Sequence, residues 1–346
     1  MPMDFLFKLP FLRYYYNRYK LGVPETFFIP FRLFMWFELR RAFGQKVIPG
    51  MFLSPSQTCN CDCKHCYEVY DGKRIKESLT LKEIKSVIDQ FKSMDGRYIV
   101  FCSGEFLLRK DALEIINYAF NKEIFTILVT NGLLINEASI KELKKAGLRE
   151  VVVSIDSMNA EKHDELRGVK GCHKKAINSL KLAKKCGLET SIWTYISRSN
   201  IHELEEIEKL AIELDITDVF CYFPLLSGKF FNKPDENLTF EEREDIRKKF
   251  KNSKKFFLEF ATEDTLCTAA AEYHLNVNPA GEVTFCPPVP YSYGNIKNEP
   301  LKKIYARMRK DFKRFRYFKG QCPVNNPDYR RRCKARKIVE VDNKLK

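Results

Sequence analysis

The 346-residue sequence predicts an α/β fold in which six successive βα units build a parallel sheet, open or curled into a partial barrel. Three observations carry that prediction. From about residue 50, short runs rich in Val, Ile and aromatics alternate with amphipathic helical runs. The strand-like runs are nearly continuous in apolar residues, as strands covered on both faces must be. The chain is 45% hydrophobic, enough to bury a large core without disulfide staples.

MFLSPSQ (51–57) reads as the first strand, opening into a cysteine-rich loop. A helix follows over 80–94. Thr80 and Glu83 form a capping box there, and Leu81, Ile84, Val87, Ile88 and Phe91 recur on one face. RYIVFC (97–102), IFTILVT (124–130), REVVVSID (149–156), ETSIWTYI (189–196) and TDVFCYFP (217–224) are the remaining strands. Helices separate them near 111–120, 136–146, 173–186 and 200–214. A last helix, opened by the Thr239/Glu242 capping box, runs to about 254. Residues 1–50 lie outside this pattern and hold fourteen of the 46 aromatics, interleaved with Arg and Lys. Residues 256–346 change again, to Pro-rich loops with widely spaced cysteines. The expected division is an N-terminal extension (1–50), a core (51–255) and a C-terminal cysteine domain (256–346).

The formal charge is +15, from 60 Lys plus Arg against 45 Asp plus Glu. That balance suits acidic partners or a solvated Lys-rich surface equally, and no nucleic-acid motif accompanies it. The N-terminus lacks a signal-peptide pattern, and no run reaches the roughly 18 apolar residues a spanning helix needs. Twelve cysteines in such a chain point to thiolate-bound metal in a reducing cytoplasm. The aromatic and basic residues 1–50 also have the composition of an interfacial anchor, so peripheral membrane contact stands beside packing against the core.

TCNCDCKHCY (58–67) crowds four thiols into eight positions. Cys59, Cys63 and Cys66 form C-x3-C-x2-C, and Cys61 is the extra thiol, expected to face the opposite side of the loop. Three thiolates on one loop can hold three irons of a 4Fe–4S cluster and leave the fourth open. A zinc on Cys59, Cys63, Cys66 and His65 is the competing reading. Cys102, Cys172, Cys186 and Cys221 read as small core residues, and His163 and His173 as surface residues at helix starts.

These motifs resemble the radical S-adenosylmethionine (radical SAM) superfamily over roughly residues 50–225. SGEFLLRKD (103–111) resembles the GGEPLLR segment, whose second Gly and Glu lie near the SAM amino group. Ser103 stands for its first Gly and Phe106 for its Pro. VTNG (129–132) resembles the strand end that follows, and SIDSMNAEKHDELRG (154–168) the S-x-D…H-D…R-G stretch that approaches the ribose and carboxylate. The resemblance implies a partial (β/α)6 barrel of the radical SAM type. It implies a 4Fe–4S cluster on Cys59, Cys63 and Cys66. It also implies a SAM site drawing on Gly104, Glu105, Asn131, Ser154, Asp156, Arg167 and His65, the last in place of the usual aromatic.

In the C-terminal region, Cys267, Gly281 and Cys286 form C-x13-G-x4-C around a hairpin turning at Pro279-Ala280-Gly281, with Cys322 and Cys333 beyond. The pattern resembles a SPASM or twitch appendage and implies a second, auxiliary 4Fe–4S cluster on Cys267, Cys286, Cys322 and Cys333. One zinc on the same thiolates is the alternative. GNIKNEPLKKIY (294–305) resembles the short helix that follows the hairpin.

The implied function is one-electron cleavage of SAM at the cluster to a 5′-deoxyadenosyl radical, which abstracts hydrogen from an unactivated C–H bond. The implied substrate is a ribosomal peptide or protein. Lipid or isoprenoid chains, tetrapyrroles, or a non-catalytic electron-transfer role are the alternatives. A low-potential donor such as ferredoxin or flavodoxin is the implied electron source. No residue is singled out as the catalytic group acting on substrate.

Overall fold

The computed structural model describes residues 48–69, 73–223, 227–230, 236, 238–253, 255–258, 273–289, 291–315 and 336–337. The N-terminal extension therefore lies almost entirely outside the described residues, as do Cys267, Cys322 and Cys333. Among the described residues, no helix is long and apolar enough to cross a membrane.

The strands fall where the apolar runs place them: β1 (Gly50–Leu53), β2 (Tyr98–Phe101), β3 (Phe125–Thr130), β4 (Glu150–Ser154), β5 (Glu189–Tyr195) and β6 (Asp218–Tyr222). The intervening helices are α1 (Leu81–Ser93), α2 (Ala112–Asn121), α3 (Glu137–Lys145), α4 (Ala160–Arg167), α5 (Cys172–Lys185) and α6 (Leu204–Glu213). After β6 come α7 (Phe240–Lys249), β7 (Phe256–Leu258), β8 (His274–Val277), β9 (Val283–Thr284), β10 (Tyr291–Ser292), α8 (Leu301–Phe315) and β11 (Arg336–Lys337). Both capping boxes form in full: Thr80 and Glu83 satisfy each other's backbone at the start of α1, and Thr239 and Glu242 do so at α7.

The main sheet has the order β7-β6-β5-β4-β3-β2-β1-β8-β9, parallel except for the antiparallel β8–β9 hairpin. Alternate residues of β1 to β5 point outward under the helices. There Met51, Leu53, Ile99, Phe101, Leu128, Val151, Val153 and Ile192 join Ile84, Val87, Phe91, Ile116, Leu143 and Leu180 in one buried core. The other face curls inward. Strands about 4.8 Å apart would put β1 and β5, four steps removed, about 19 Å apart in a flat sheet. Instead the rings of Phe52 (β1) and Trp193 (β5) have centroids 6.3 Å apart. The sheet is thus a partial barrel, and Phe52, Trp193, Phe220, Tyr222 and Tyr195 form an aromatic inner wall.

Three features differ from the sequence expectation. AEKHDELR, expected only to begin a helix at His163, forms the whole of α4 from Ala160, because Asn159 caps it by accepting from Lys162 N and Gly168 ends it at φ +71°. The helix after the hairpin extends fifteen residues, to Phe315. The hairpin turns at the expected Pro279-Ala280-Gly281, but β8 also adds in parallel to the free edge of β1, with Gly50 opposite His274 and Leu53 opposite Val277.

Candidate functional site

The cysteine loop leaves β1 at its C-terminal end, where sites in α/β sheets are built. Segments distant in sequence strap it down through the backbone. Glu105 N donates to Thr58 O (2.8 Å), Asp62 N to Arg167 O (3.1 Å), Lys64 N to Leu166 O (2.8 Å) and Lys229 N to Cys66 O (2.9 Å). Glycine makes the closest approach available. Gly104 has φ +56°, and a Cβ there would lie 2.3 Å from Thr58 O.

Along residues 61–65, which enter a turn at Lys64-His65, Cys61, Cys63 and His65 are buried and Asp62 and Lys64 exposed. Cys61 therefore does not face away, as the sequence reading expects. The straps at Asp62 and Lys64 turn those residues toward α4, so Cys61 shares the inner side with Cys63. Its thiol lies within hydrogen-bonding reach of Cys172, Cys59 and Cys63. Cys59 and Cys66 complete this thiol-lined patch, packed on Leu133 and Val169. Cys172, at the start of α5, is fully buried but belongs to the thiol group rather than to the apolar core.

The hydrogen bond from Cys61 pulls the Cys63 thiol down to about 5; burial opposes it, and the charges of Arg167 and His65 assist. Burial pushes Cys66 up to about 12. Three spaced thiols on one loop, Cys63 buried and biased toward thiolate and Cys59 and Cys66 half-buried, have the donor chemistry of an iron–sulfur cluster site.

Around the thiols stand the other residues singled out in the sequence. Glu105, buried, accepts from Leu107 N (3.3 Å) through one oxygen and from Thr130 Oγ1 and Asn131 N (both 2.9 Å) through the other. Burial pushes its carboxyl up to about 7 against those hydrogen bonds. Asn131 Nδ2 reaches back to the loop, donating to Asn60 Oδ1 at 2.7 Å. Asp156 is fully buried. Burial alone would raise its pKa, but Arg167, then His65 and His163, and the Tyr195 amide hold it below the ordinary carboxylate value. Arg167 Nη2 lies 2.6 Å from Asp156 Oδ2, and Nη1 donates to Cys63 Sγ at 3.8 Å. His65, whose pKa burial lowers, stacks on Tyr195 at 4.5 Å and 10°. Ser154 closes β4 opposite Trp193 of β5. Cys286, half-buried, follows β9 and is remote in sequence from this loop.

Two site residues escape the sequence reading. His163 is fully buried, not a surface residue: its Nδ1 accepts from Asp156 N at 3.2 Å, and its ring lies against Cys172. Glu68, also buried, accepts from Ser103 Oγ and from Gly104 N (3.2 Å). This accounts for Ser103, which adopts φ +75° where the resembled motif has Gly. The visible signal was the C-D-C-K-H alternation for Cys61. For Glu68 and Ser103 no local pattern exists, because the pair spans 35 positions.

A model of the radical SAM superfamily matches residues 53–211, and a model of the SPASM iron–sulfur cluster-binding domain matches 267–335. Over 191 residues the chain is 29% identical to an AdoMet-dependent heme synthase of Oleidesulfovibrio alaskensis, covering 55% of this chain and 49% of that protein. Over 166 residues it is 26% identical to a PqqA peptide cyclase of Bradyrhizobium diazoefficiens, covering 48% and 44%. These matches thus span about half the length of each curated relative. Among solved structures, SuiB of Streptococcus suis bound to the precursor peptide SuiA shares the fold with a TM-score of 0.63 at 15% identity, covering 79% of this chain and 69% of that one.

Proposed function

The chain belongs to the radical SAM superfamily and carries a SPASM domain, and from that premise we propose that it abstracts hydrogen from an unactivated C–H bond of a ribosomal peptide or protein. The observation that carries the site assignment is the convergence of Cys59, Cys63 and Cys66 with Gly104, Glu105, Asn131, Asp156 and Arg167 at one mouth of the barrel. In this reading Cys59, Cys63 and Cys66 hold the SAM-binding 4Fe–4S cluster, and Cys267, Cys286, Cys322 and Cys333 hold the auxiliary one. When bound, the cluster and SAM supply one-electron cleavage that yields a hydrogen-abstracting radical.

The chain's own residues do the rest. Glu105 offers a buried carboxylate to the SAM ammonium while its other contacts fix its orientation. His65, stacked on Tyr195, presents an aromatic surface to adenine. Ser154, at the end of β4, offers a hydroxyl to the ribose or carboxylate. The inner wall of Phe52, Trp193, Phe220 and Tyr222 excludes water from the space where a substrate carbon must be held. Residues 51–255 form the core and 256–346 the auxiliary domain, with a ferredoxin- or flavodoxin-like donor delivering electrons.

A second reading, tetrapyrrole modification, is favoured by one observation: the likeness to a protein named as a heme synthase exceeds that to the peptide cyclase, 29% against 26% identity. Anaerobic turnover with reductant and SAM, analysed by mass spectrometry for 5′-deoxyadenosine and for mass loss on candidate peptides and coproporphyrins, separates the two. Absence of 5′-deoxyadenosine under every condition would sink both.

A further inference from the structure

We infer that Arg167 sets the redox poise of the cluster by donating a hydrogen bond to the Cys63 thiolate, with Asp156 as the positioning residue that aims it. The inference rests on the reading that Cys63 is a cluster ligand, and it adds a target for Arg167 beyond SAM. Nη1 of the guanidinium donates to Cys63 Sγ at 3.8 Å while Nη2 meets Asp156 Oδ2 at 2.6 Å. Both side chains are buried, at 8% and 0% exposure, so neither can be diverted to solvent.

Asp156 is itself fixed from several directions. Its Oδ1 accepts from Tyr195 N at 3.0 Å, its amide donates to His163 Nδ1, and its carbonyl accepts from Asn200 Nδ2 at 2.7 Å. A rigid planar fork held at one prong by such an anchor leaves the other prong aimed at one sulfur. The carboxylate and guanidinium cancel each other's charge at a distance. What remains at the cluster is the local N–H donation, which withdraws density from the sulfur and favours the more negative, reduced state. Arg167 also bonds the loop through its carbonyl, to Asp62 N, so the same residue fixes the loop's position and its sulfur's polarity.

The test is a potentiometric titration of anaerobically reconstituted full-length protein, following the reduced-cluster EPR signal that SAM perturbs. The double variant D156N/R167M removes the donor but keeps the local net charge at zero. It is expected to load iron as wild type does and to show at least a tenfold lower reduced-to-oxidised ratio at a given potential, about 59 mV for a one-electron couple. R167K keeps the cation but loses the fork, and its midpoint is expected to fall as well. Wild-type iron content with an unchanged midpoint in the double variant overturns the inference. If that variant does not fold, an unchanged midpoint in R167M, which has no side-chain N–H to donate, does so. Failure of the underlying reading looks different: C63A would then retain the SAM-sensitive signal.

Discussion

Replacing Gly104 by Ala tests whether the strand end after β2 must touch the cysteine loop. Two costs follow from the geometry. A non-Gly residue at φ +56° loses about 1–2 kcal/mol to the left-handed conformation. The new Cβ would also lie 2.3 Å from Thr58 O and 2.8 Å from Gln57 C, both backbone atoms that cannot rotate away. The chain must shift and weaken the Glu105 N to Thr58 O bond, about 0.5–1.5 kcal/mol more. The sum is about 1.5–3.5 kcal/mol. Gly187→Ala supplies the control: it has φ +68° but meets only the far end of the Lys144 side chain, Nζ at 3.2 Å, and no backbone atom, and so incurs chiefly the first cost. Equilibrium urea unfolding of the reduced, iron-free proteins measures the difference, and iron content after reconstitution measures the loop. If G104A loses no more stability than G187A and loads as much iron, the close approach does not organise the site.

The remaining predictions follow from individual groups. Because Glu105 holds its proton in the fold up to about 7 against an ordinary 4.5, the native state binds the extra proton between those values, and stability falls as pH rises through that window. E105Q should flatten that decline by about 3 kcal/mol, read as the pH dependence of unfolding. C66S should lose both iron and SAM cleavage, whereas C61S should keep about four irons at the site; equal losses would make Cys61 a ligand. C286A should remove about four irons per chain and spare SAM cleavage, and loss of zinc with iron unchanged would make the auxiliary site a zinc site.

The elements were legible because each carries its own local signal. Nearly continuous apolar runs mark β1 to β6, and capping boxes mark the starts of α1 and α7 to the residue. The thiol spacing was equally local. What escaped depends on contacts between distant segments. His163 looks like a solvated helix residue in AEKHDELR, yet α4 packs it under Asp156. Ser103 looks like a defect in a Gly position until Glu68 is placed beside it. The addition of β8 to β1 has no sequence mark either, since His274–Val277 reads the same whether it closes a hairpin or extends a sheet.

That last pairing bears on how the protein comes into being. As the chain leaves the ribosome, β1 and the cysteine loop emerge early, but the strand that covers the outer edge of β1 is made only after the whole barrel. Until His274–Val277 arrives, β1 presents an open hydrogen-bonding edge next to reactive thiols. Pairings of such long sequence separation form slowly. The nascent chain thus has an interval in which the edge of β1, the strand that leads into the cysteine loop, lacks its β8 partner, and completion of the C-terminal hairpin brings that interval to an end.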